Sequence, residues 1–345
     1  MQFARVGFIG CGNHSTNNIY PALRHARCRL QAVCDLDATL AERNARVFGA
    51  KAHYTDPDTM LEQEQLDGVF VVGPAEMHYR AGLKVLQRGL PLFIEKPPAP
   101  DLASAQELVR VAREHKTFVM TGFMKRHGLA YAKIRQFIRE KRFELESGFV
   151  RYLHWPFTDL RAMLMTMSIH PIDLAISFFG TPVALTSDLR EHPKALSLAL
   201  TLRFEEGRWA QVMLGSFGPR IQERVELTGR MDGKDAFLIA DNIQQLELHT
   251  HGLNGCDKVT PTGSLEGADI QPGFDLTDIQ VWRPDYGLPN TTQSSQFAMG
   301  YAGEVREFVE AIVEKREPYP GTDEAPKAMC VIDAILKRPN GTTDL

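Results

Sequence analysis

The stretch GFIGCGNHST, near the start of the chain, contains residue types and spacings suited to holding a phosphate group. The pattern G-x-G-x-x-[G/A/S] is matched by Gly10, Gly12 and Ser15, directly after an apolar run and before a helical pattern. Glycines at these positions allow the backbone to approach a pyrophosphate, whose charge then meets the amide groups and positive dipole of the helix. We expect a dinucleotide to contact the residues of this turn, which are Gly10, Gly12, Asn13, His14 and Ser15.

An acidic residue, Asp35, ends the next apolar run, twenty residues after Ser15. A carboxylate there can accept hydrogen bonds from an adenosine ribose, and it would repel the 2′-phosphate of NADP. Leu36 and Asp37 supply no arginine to hold such a phosphate. The sequence therefore favours NAD over NADP, with Asp37 as the cap of the helix ATLAERNARVF. The alternative is a glycine turn without a ligand, in which Asp35 only solvates a strand end.

The stretch LPLFIEKPPAP ends an apolar run on a charged pair, Glu95 and Lys96, and continues with two prolines. Strands of a parallel sheet deliver ligand-binding residues at their C-terminal ends, so this run would carry Lys96 into the cofactor crevice. Pro97 and Pro98 would hold the following backbone extended. Taken alone, Glu95 and Lys96 could equally be a surface pair before a loop.

The elements that must position these residues change in character after residue 122. Up to that point short β-rich runs alternate with helical patterns, which predicts βαβ units and a parallel sheet of Rossmann type. Beyond it, β-like runs joined by glycine-containing turns predict an α+β domain with a large, mostly antiparallel open sheet. Residues 252 to 297 suggest a long loop. We expect a nucleotide-binding domain over 1–122 and a substrate-binding and oligomerisation domain over 123–345, whose C-terminal helix can pack back on the first domain.

The composition is that of an ordinary globular protein that acts on small molecules. The 345 residues are 43% hydrophobic, enough to fill two cores, and 39 Lys and Arg residues face 43 Asp and Glu residues. This balance lacks the basic excess of a nucleic-acid or membrane-surface binder, and no apolar run approaches the ~18 residues of a membrane span. The five cysteines show no C-x-x-C spacing, which argues against a disulfide framework or a zinc site. We expect a cytoplasmic protein without a metal.

The ordered set GFIGCGNHS, CDLD, VVGPAEMHYRAGLKVLQRG, IEKPP and SIHPIDL resembles the Gfo/Idh/MocA family of sugar and cyclitol oxidoreductases. The resemblance covers nearly the whole chain, and the E-K-P element is fairly specific to the family. It implies that Lys96 lies beside the nicotinamide and the reacting hydroxyl, and that the Lys96–Pro97 bond is cis. It also implies that Glu95, Pro74 and His78 lie near the cofactor, and that the protein is a homodimer or homotetramer. His78 could instead be only a histidine at the start of a helix.

The same resemblance places a general base in MLMTMSIHPIDLAISFFG. His170 would take the proton from the substrate hydroxyl, and Asp173 matches an acid three residues later, but Thr166 replaces the family's aspartate four residues earlier. Because a threonine brings no charge to the imidazole, His170 should stay more nearly neutral. Pro171 is tolerated only in a helix's first turn, so we expect a helix that begins near Ser168 with its positive end beside the base. Without the resemblance, His170 could be a histidine packed in the core.

Several further side chains could bind a polyol, which needs hydrogen-bond donors and an apolar face. Arg126 follows the sixth predicted strand, between Lys125 and His127, and Trp155 ends the strand FVRYLHW. Arg126 could instead form a surface salt bridge, and Trp155 could belong to the core. The other substrate candidates are Lys96, Thr166, His170 and Asp173, and in the long loop Trp282, Tyr286 and Asn290.

These features predict an NAD-dependent oxidoreductase that moves a hydride between nicotinamide and a secondary alcohol of a sugar, inositol or related polyol. His170 would accept the hydroxyl proton, and Lys96 would stabilise the negative charge that develops on that oxygen. Two alternatives stay open because Thr166 breaks the pattern. One is a sensor that binds NAD and a sugar without turnover. The other is an enzyme, such as an epimerase or a glycosidase, that retains its NAD and cycles it.

Overall fold

The structure is a computed structural model that describes residues 3–251, 277–283 and 295–345. The described residues form two β-sheets, of which the first is parallel and has the strand order β3-β2-β1-β4-β5-β6. Its strands are β1 (Ala4–Ile9), β2 (Cys28–Cys34), β3 (Ala52–Tyr54), β4 (Gly68–Val71), β5 (Leu92–Glu95) and β6 (Val119–Gly122). The predicted N-terminal parallel sheet is therefore confirmed.

Helices cover both faces of this sheet. They are α1 (Tyr20–Ala22), α2 (Ala38–Phe48), α3 (Pro57–Gln63), α4 (Ala75–Gln87) and α5 (Leu102–Glu114). Every residue of β4 and β5 is buried, as expected for central strands of a parallel sheet between two helical layers. Asp37 caps α2 by accepting hydrogen bonds from the backbone N–H groups of Thr39 and Leu40, which confirms its predicted role.

The second sheet has the strand order β14-β13-β12-β11-β7-β10-β9-β8-β15. Neighbouring strands are antiparallel except β7 and β10, which run parallel, so the predicted mostly antiparallel sheet is confirmed. The strands are β7 (Phe143–Leu153), β8 (Ala184–His192), β9 (Ala195–Arg203), β10 (Trp209–Gly215), β11 (Gln222–Met231), β12 (Lys234–Asp241), β13 (Gln245–His251), β14 (Thr277–Trp282) and β15 (Gly341–Asp344). β14 lies where the sequence suggested only a loop. Cys256, Tyr286 and Asn290 are outside the described residues.

Helices pack on one face of the second sheet. They are α6 (Leu129–Arg139), α7 (Leu160–Met163) and α8 (Ile169–Phe179), and a π-helical segment (Leu164–Ser168) joins α7 to α8. The continuous stretch Leu160–Phe179 is long and apolar enough to cross a membrane, but 78% of its apolar window is buried inside the fold. It is placed as the core helix of a globular protein would be.

The C-terminal segment returns to the first sheet. Its helices are α9 (Ser295–Ala298), α10 (Tyr301–Glu314) and α11 (Ala325–Lys337). Phe308 of α10 contacts the rings of Phe70, Phe93 and Phe118 at centroid distances of 4.8, 5.7 and 5.9 Å. α11 packs against α5 and α8, and thus touches both halves of the molecule. The core of the first sheet is completed by chain that follows the second sheet.

Candidate active site

The first candidate site is the turn between β1 and the helix that follows it. Gly10 has a φ of 107°, and a Cβ atom there would lie 2.0 Å from the main-chain oxygen of Val72, so only glycine fits. Gly12 has no heavy atom within 4 Å of the place that a Cβ would take, which leaves its backbone open to a ligand. The Ser15 hydroxyl donates a hydrogen bond to the Gly12 carbonyl oxygen at 2.9 Å and closes the turn. Helical backbone begins at Asn13, so unpaired amide groups face outward from the turn.

Asp35 follows the end of β2 and supports this turn. Its Oδ2 accepts a hydrogen bond from the backbone N–H of Cys11 at 2.6 Å, and its Oδ1 accepts one from Asp37 at 3.0 Å. A carboxylate has further lone pairs that can accept hydrogen bonds from ribose hydroxyls. Asp35 therefore both fixes the glycine turn and offers acceptors at its edge.

The turn forms one wall of a cavity of about 290 Å³. The cavity is lined by Gly12, Asn13, His14, Ser15, Val72, Gly73, Glu95 and Lys96. It runs from the start of a helix to the C-terminal ends of β4 and β5, which is where parallel sheets bind dinucleotides. The open space at Gly12, the helix amides and the nearby carboxylate together fit the pyrophosphate and ribose of NAD.

His78 joins the ends of two neighbouring strands. Its Nε2 accepts a hydrogen bond from the backbone N–H of Gly73 at 2.9 Å, so Nδ1 carries the hydrogen and donates to the carbonyl oxygen of Pro97 at 2.8 Å. Burial lowers the pKa of His78 to about 4, which keeps the ring neutral. His78 lines neither cavity of the site. Its hydrogen bond to Pro97 instead supports the turn that follows β5. Pro74 is the exposed residue that precedes α4.

A second, larger cavity adjoins the first and has a volume of about 480 Å³. Three residues, His14, Glu95 and Lys96, line both cavities, and we call them the junction. Within it, Glu95 Oε2 accepts a hydrogen bond from the backbone N–H of Lys96 at 2.9 Å, and Glu95 Oε1 lies 3.3 Å from His14 Nε2. A group held at the junction can touch ligands in both cavities.

The orientation of Lys96 is set by its own backbone and by the π-helical segment that contains Thr166. The Lys96–Pro97 peptide bond is cis. The ammonium group donates a hydrogen bond to the main-chain carbonyl oxygen of Thr166 at 3.0 Å. Burial lowers the pKa of Lys96, and the positive charge of Lys125 acts in the same direction, against the opposing effect of Glu95. The side chain of Thr166 is exposed and lines neither cavity, so this residue acts through its carbonyl group.

His170 lines the larger cavity and is only 7% exposed. Its Nδ1 is buried and has no hydrogen-bond partner in the described part of the chain, which leaves Nε2 as the nitrogen available to a substrate. Burial lowers the pKa of His170 well below its ordinary value, and the charges of Lys96 and Lys125 lower it further. The imidazole is therefore neutral, which is the form that can accept a proton.

The helix α8 begins at Ile169, close to the expected start near Ser168, but this start is not a free helix end. Helical backbone begins at Leu160, and Ser168 ends the π-helical segment inside the stretch. His170 thus lies about 15 Å along the axis from the helix start, too far for the dipole to act on it. Pro171 is accommodated because the π-helical turn before it already interrupts the regular hydrogen-bond ladder. The helix after the glycine turn uses the same arrangement, with a π-helical segment (Ser15–Ile19) before Pro21.

Arg126 and Asp173, two expected substrate contacts, face each other in the interior. Arg126 donates to Asp173 at 2.7 and 2.9 Å and to Glu324 at 3.0 Å, and its side chain is 0% exposed. Burial raises the pKa of Asp173 to about 6, against the effect of the arginine. Asp173 therefore does not contact the imidazole three residues before it. His127 is half-buried, with its ring against Tyr319. None of these five side chains lines either cavity.

The larger cavity contains polar residues that sequence reasoning missed. They are Tyr152, Arg220, Glu223, Asn242 and Tyr301. Glu223 forms a buried ion pair with Lys125 and accepts a hydrogen bond from Tyr131. The signal for Glu223 was a lone acid on the buried side of a strand with regular alternation, QERVELTGRM. Trp155 was expected at the site and lines this cavity with 47% of its surface exposed.

Trp282, which was expected among the substrate contacts, lies outside both cavities. Trp282 packs edge-on against Phe137 at 5.6 Å and belongs to the core. Within residues 3–251, 277–283 and 295–345, no group of three His, Cys, Asp or Glu side chains could hold a metal ion. Cys11, Cys28, Cys34 and Cys330 are free thiols.

Comparisons with known proteins agree with the fold. The family model described as "Oxidoreductase family, NAD-binding Rossmann fold" matches residues 4–123, and "Oxidoreductase family, C-terminal alpha/beta domain" matches residues 162–343. Inositol 2-dehydrogenase from Arthrobacter sp. (strain FB24) is 30% identical over 139 residues, which are 39% of this chain and 41% of that protein. Inositol 2-dehydrogenase from Streptomyces avermitilis is 28% identical over 204 residues, or 56% of this chain and 58% of that protein. The chain thus spans 41% to 58% of the length of these two relatives.

Solved structures match over almost the full length. A dehydrogenase from Chromobacterium violaceum superposes with a TM-score of 0.83 at 24% identity, covering 98% of this chain and 95% of that one. Levoglucosan dehydrogenase in complex with NADH and L-sorbose superposes with a TM-score of 0.81 at 16% identity, covering 100% and 99%. At such identities the likeness establishes a shared fold.

Proposed function

Because the chain belongs to the Gfo/Idh/MocA oxidoreductase family, with an NAD-binding Rossmann domain, we propose that it oxidises a secondary alcohol of a sugar, inositol or related polyol, or runs the reverse reduction. One observation carries the proposal: Lys96 lines both the cavity that fits NAD and the larger cavity beside it. A residue so placed can contact a cofactor and a substrate at the same time. When bound, NAD supplies the acceptor for the hydride.

His170 is the general base of the proposed reaction. Its neutral ring lines the larger cavity, and Nε2 accepts the proton of the substrate hydroxyl as the carbon–hydrogen bond breaks. The low pKa of the buried ring makes it a weak base in the resting protein. A neighbouring oxygen that becomes negative would raise that pKa during the reaction, so the proton moves when the charge develops.

Lys96 stabilises the reacting oxygen. Its hydrogen bond to the Thr166 carbonyl fixes one direction of the ammonium group and leaves two N–H donors for the cavity. A preoriented cation is more effective than water at stabilising a developing alkoxide, because it needs no reorganisation when the charge appears. The junction residue Glu95 holds the backbone of Lys96 in place by accepting a hydrogen bond from its N–H group.

The larger cavity has the lining that a polyol needs. Trp155 offers an apolar face for the ring, whereas Lys125, Glu223 and Asn242 offer donors and acceptors for hydroxyl groups. The names of the similar proteins, inositol 2-dehydrogenase and levoglucosan dehydrogenase, point to the same substrate class. Asp35, whose carboxylate holds the backbone of the glycine turn, supports NAD over NADP.

The face of the second sheet that carries no helix is proposed as the contact between two copies of this chain. Trp209, Met213, Phe237, Ile279 and Val281 lie on this face and are 44%, 46%, 44%, 53% and 49% exposed. A sheet face that exposes several large apolar side chains and carries no helix favours a symmetric contact with a second copy. Sedimentation analysis should find a dimer or tetramer, and Met213→Lys with Phe237→Lys should reduce its size. A monomeric unaltered protein would contradict the proposal.

The function is tested with purified protein, NAD or NADP, and a panel of inositols, aldoses and anhydrosugars, by following the absorbance of NADH. Turnover with NAD on at least one polyol supports the proposal. If NAD binds and no substrate reduces it, the panel is repeated in deuterated water. Exchange of a carbon-bound hydrogen would then indicate an enzyme that retains its NAD, and no exchange would indicate a sensor.

A further inference from the structure

Glu304 is a completely buried acid that the proposed reaction does not use. It lies in the first turn of α10 and is 0% exposed. Neither carboxyl oxygen has a hydrogen-bond partner within the residues that the structure describes. An ionised carboxylate in such a place would lose its hydration without compensation. This costs several kcal/mol, which is comparable with the net free energy of unfolding of a whole domain. The group therefore needs either a proton or a ligand.

Glu304 lies one turn along α10 from Tyr301, which lines the larger cavity and whose ring centroid lies 5.9 Å from that of the junction residue His14. Burial is the largest effect on the pKa of Glu304 and raises it well above the ordinary value; Glu95 raises it further, and Lys96 lowers it. Glu95 is itself only 3% exposed, and Gly122 makes room for it, because a Cβ there would lie 3.2 Å from its carboxyl group. Two buried carboxyl groups thus share the surroundings of one lysine.

The hydrogen bonds differ between the two acids. Glu95 Oε2 accepts a hydrogen bond from the backbone N–H of Lys96 at 2.9 Å, whereas Glu95 Oε1 has no partner in the described structure. Neither carboxyl oxygen of Glu304 has a partner there, and burial raises the pKa of Glu304 well above its ordinary value. Glu304 is therefore the acid that holds a proton in the resting protein.

Most of the other charged groups packed against α10 are paired or neutral. The turn Met124–His127 packs on this helix and carries Lys125 and Arg126, whose partners are Glu223 and Asp173. His127 from the same turn is neutral, because burial lowers its pKa to about 3. Tyr301 on α10 is also neutral, because burial raises its pKa. The segment Leu23–His25 carries Arg24 and His25, which bond each other at the surface.

We propose that Glu304 is a proton-exchanging residue of the cofactor site: it gives up its proton when a positively charged, oxidised nicotinamide ring occupies the junction, and it keeps the proton when the ring is reduced and neutral. The inference rests on the proposed function insofar as the ring of NAD must lie at Glu95 and Lys96. A positive charge beside a protonated acid favours its ionisation, whereas a neutral ring does not. No bond to the cofactor is formed, and the proton is released to the solvent.

The proposal makes the two forms of the cofactor differ in their pH dependence. Since binding of NAD⁺ releases a proton from Glu304, the affinity for NAD⁺ rises with pH, by up to about tenfold per pH unit for one whole proton. The affinity for NADH should change little over the same range. Glu304 would thereby set the balance between the oxidised and reduced forms on the protein.

The test is isothermal titration calorimetry of the full-length protein with NAD⁺ and with NADH, in two buffers of equal pH and different ionisation enthalpy. The unaltered protein should release a measurable fraction of a proton with NAD⁺ and much less with NADH. Glu304→Gln keeps the shape of the side chain and cannot ionise, so the difference should disappear. Glu310→Gln removes an acid from the same helix at a partly exposed position and is the matched control.

Three outcomes would overturn the proposal: equal proton release with both cofactors, the same release in Glu304→Gln, or loss of release in Glu310→Gln. An infrared difference spectrum between the NAD⁺ and NADH complexes gives an independent readout. The carbonyl band of a buried carboxylic acid should appear in the NADH complex and be absent from Glu304→Gln. If this band is absent from the unaltered protein, Glu304 does not hold the proton.

Failure of the proposed function would look different. A protein that binds NAD⁺ with proton release but oxidises no polyol would retain the role of Glu304 and lose the dehydrogenase assignment. A protein that turns over a polyol without any proton difference between the cofactors would do the opposite. A protein that binds neither nucleotide would refute both.

Discussion

Lys96 and Thr166 meet through the lysine ammonium group and the threonine's main-chain carbonyl oxygen, 3.0 Å apart. The position where the family resemblance implied an aspartate therefore contributes a backbone atom to the site. A carbonyl group can orient the lysine whatever side chain the residue carries. The missing carboxylate affects the charge around His170 and leaves the aim of Lys96 intact.

Replacing Lys96 with methionine should reduce kcat/KM by about 10²- to 10⁴-fold, because the developing charge on the substrate oxygen loses its donor. NAD binding, measured by calorimetry, should persist. Thr166→Ala is the matched control: it keeps the carbonyl group and should leave kcat/KM nearly unchanged. Full activity in Lys96→Met, or an equal loss in Thr166→Ala, would contradict the assignment.

Replacing Asp35 with alanine should weaken NAD binding by about 10- to 100-fold, since hydrogen bonds to a charged group contribute about 1.5–3 kcal/mol. Two effects add here, because the carboxylate holds the backbone of Cys11 and would also accept hydrogen bonds from the ribose of bound NAD. Asp35→Asn should relax the preference for NAD over NADP by removing the repulsion. Titration of both nucleotides measures the change. A preference of the unaltered protein for NADP would contradict this role.

Breaking the pair of Arg126 and Asp173 should destabilise the protein. Asp173→Asn leaves a guanidinium group without its main partner at a site with no solvent, which should lower the free energy of unfolding by about 3–5 kcal/mol. Replacing both residues at once, as Arg126→Met with Asp173→Leu, should recover part of the loss. Urea unfolding measures the effect. An altered KM with unchanged stability would instead restore both residues to the substrate site.

Acid should destabilise the protein through its buried histidines. His78 has a folded-state pKa of about 4 against an ordinary value of 6.5, so the unfolded chain binds the proton more readily. Stability is then complete above pH 6.5 and falls as the pH drops towards 4, by up to about 1.4 kcal/mol per pH unit for this residue. His127 and His170, whose pKa values burial also lowers, act in the same direction.

Urea unfolding at a series of pH values tests this dependence. His78→Gln should flatten the slope between pH 6.5 and 4 by about one proton. The same substitution at the exposed His53 should leave the slope unchanged. A stability that does not change with pH in this range would show that the buried rings take up protons in the folded state.

The parts of the site that could be predicted from sequence are those whose chemistry follows directly from one strand end. Gly10 and Gly12 follow β1, Asp35 follows β2, and Lys96 follows β5, so the topology alone brings them to one edge of the sheet. The residue types within each short segment were sufficient to predict these positions. The fold class could also be predicted from local patterns, because strands alternate with helical patterns in the first half, whereas successive strand patterns dominate the second half.

The rest of the site depends on partners that lie far apart in sequence. Glu223 pairs with Lys125, and Arg126 pairs with Asp173, across separations that only the packed sheet and helices determine. A polar side chain near a strand end can face either the cavity or the interior, and the sequence does not distinguish the two. Pro171 indicated where α8 begins, but nothing in the sequence showed that helical backbone leads into it from Leu160 through a π-helical segment.

The helix α10, which carries Glu304, is synthesised near the end of the chain. It nevertheless packs into the core of the first sheet, which is synthesised first. While the ribosome synthesises the chain, Phe70, Phe93 and Phe118 emerge well before Phe308, and the whole second sheet up to β14 is made in between. The nucleotide-binding half therefore cannot close its core as an early, independent folding unit. Cofactor capture becomes a late event of biogenesis, possible once α10 has left the ribosome and the two halves have formed together.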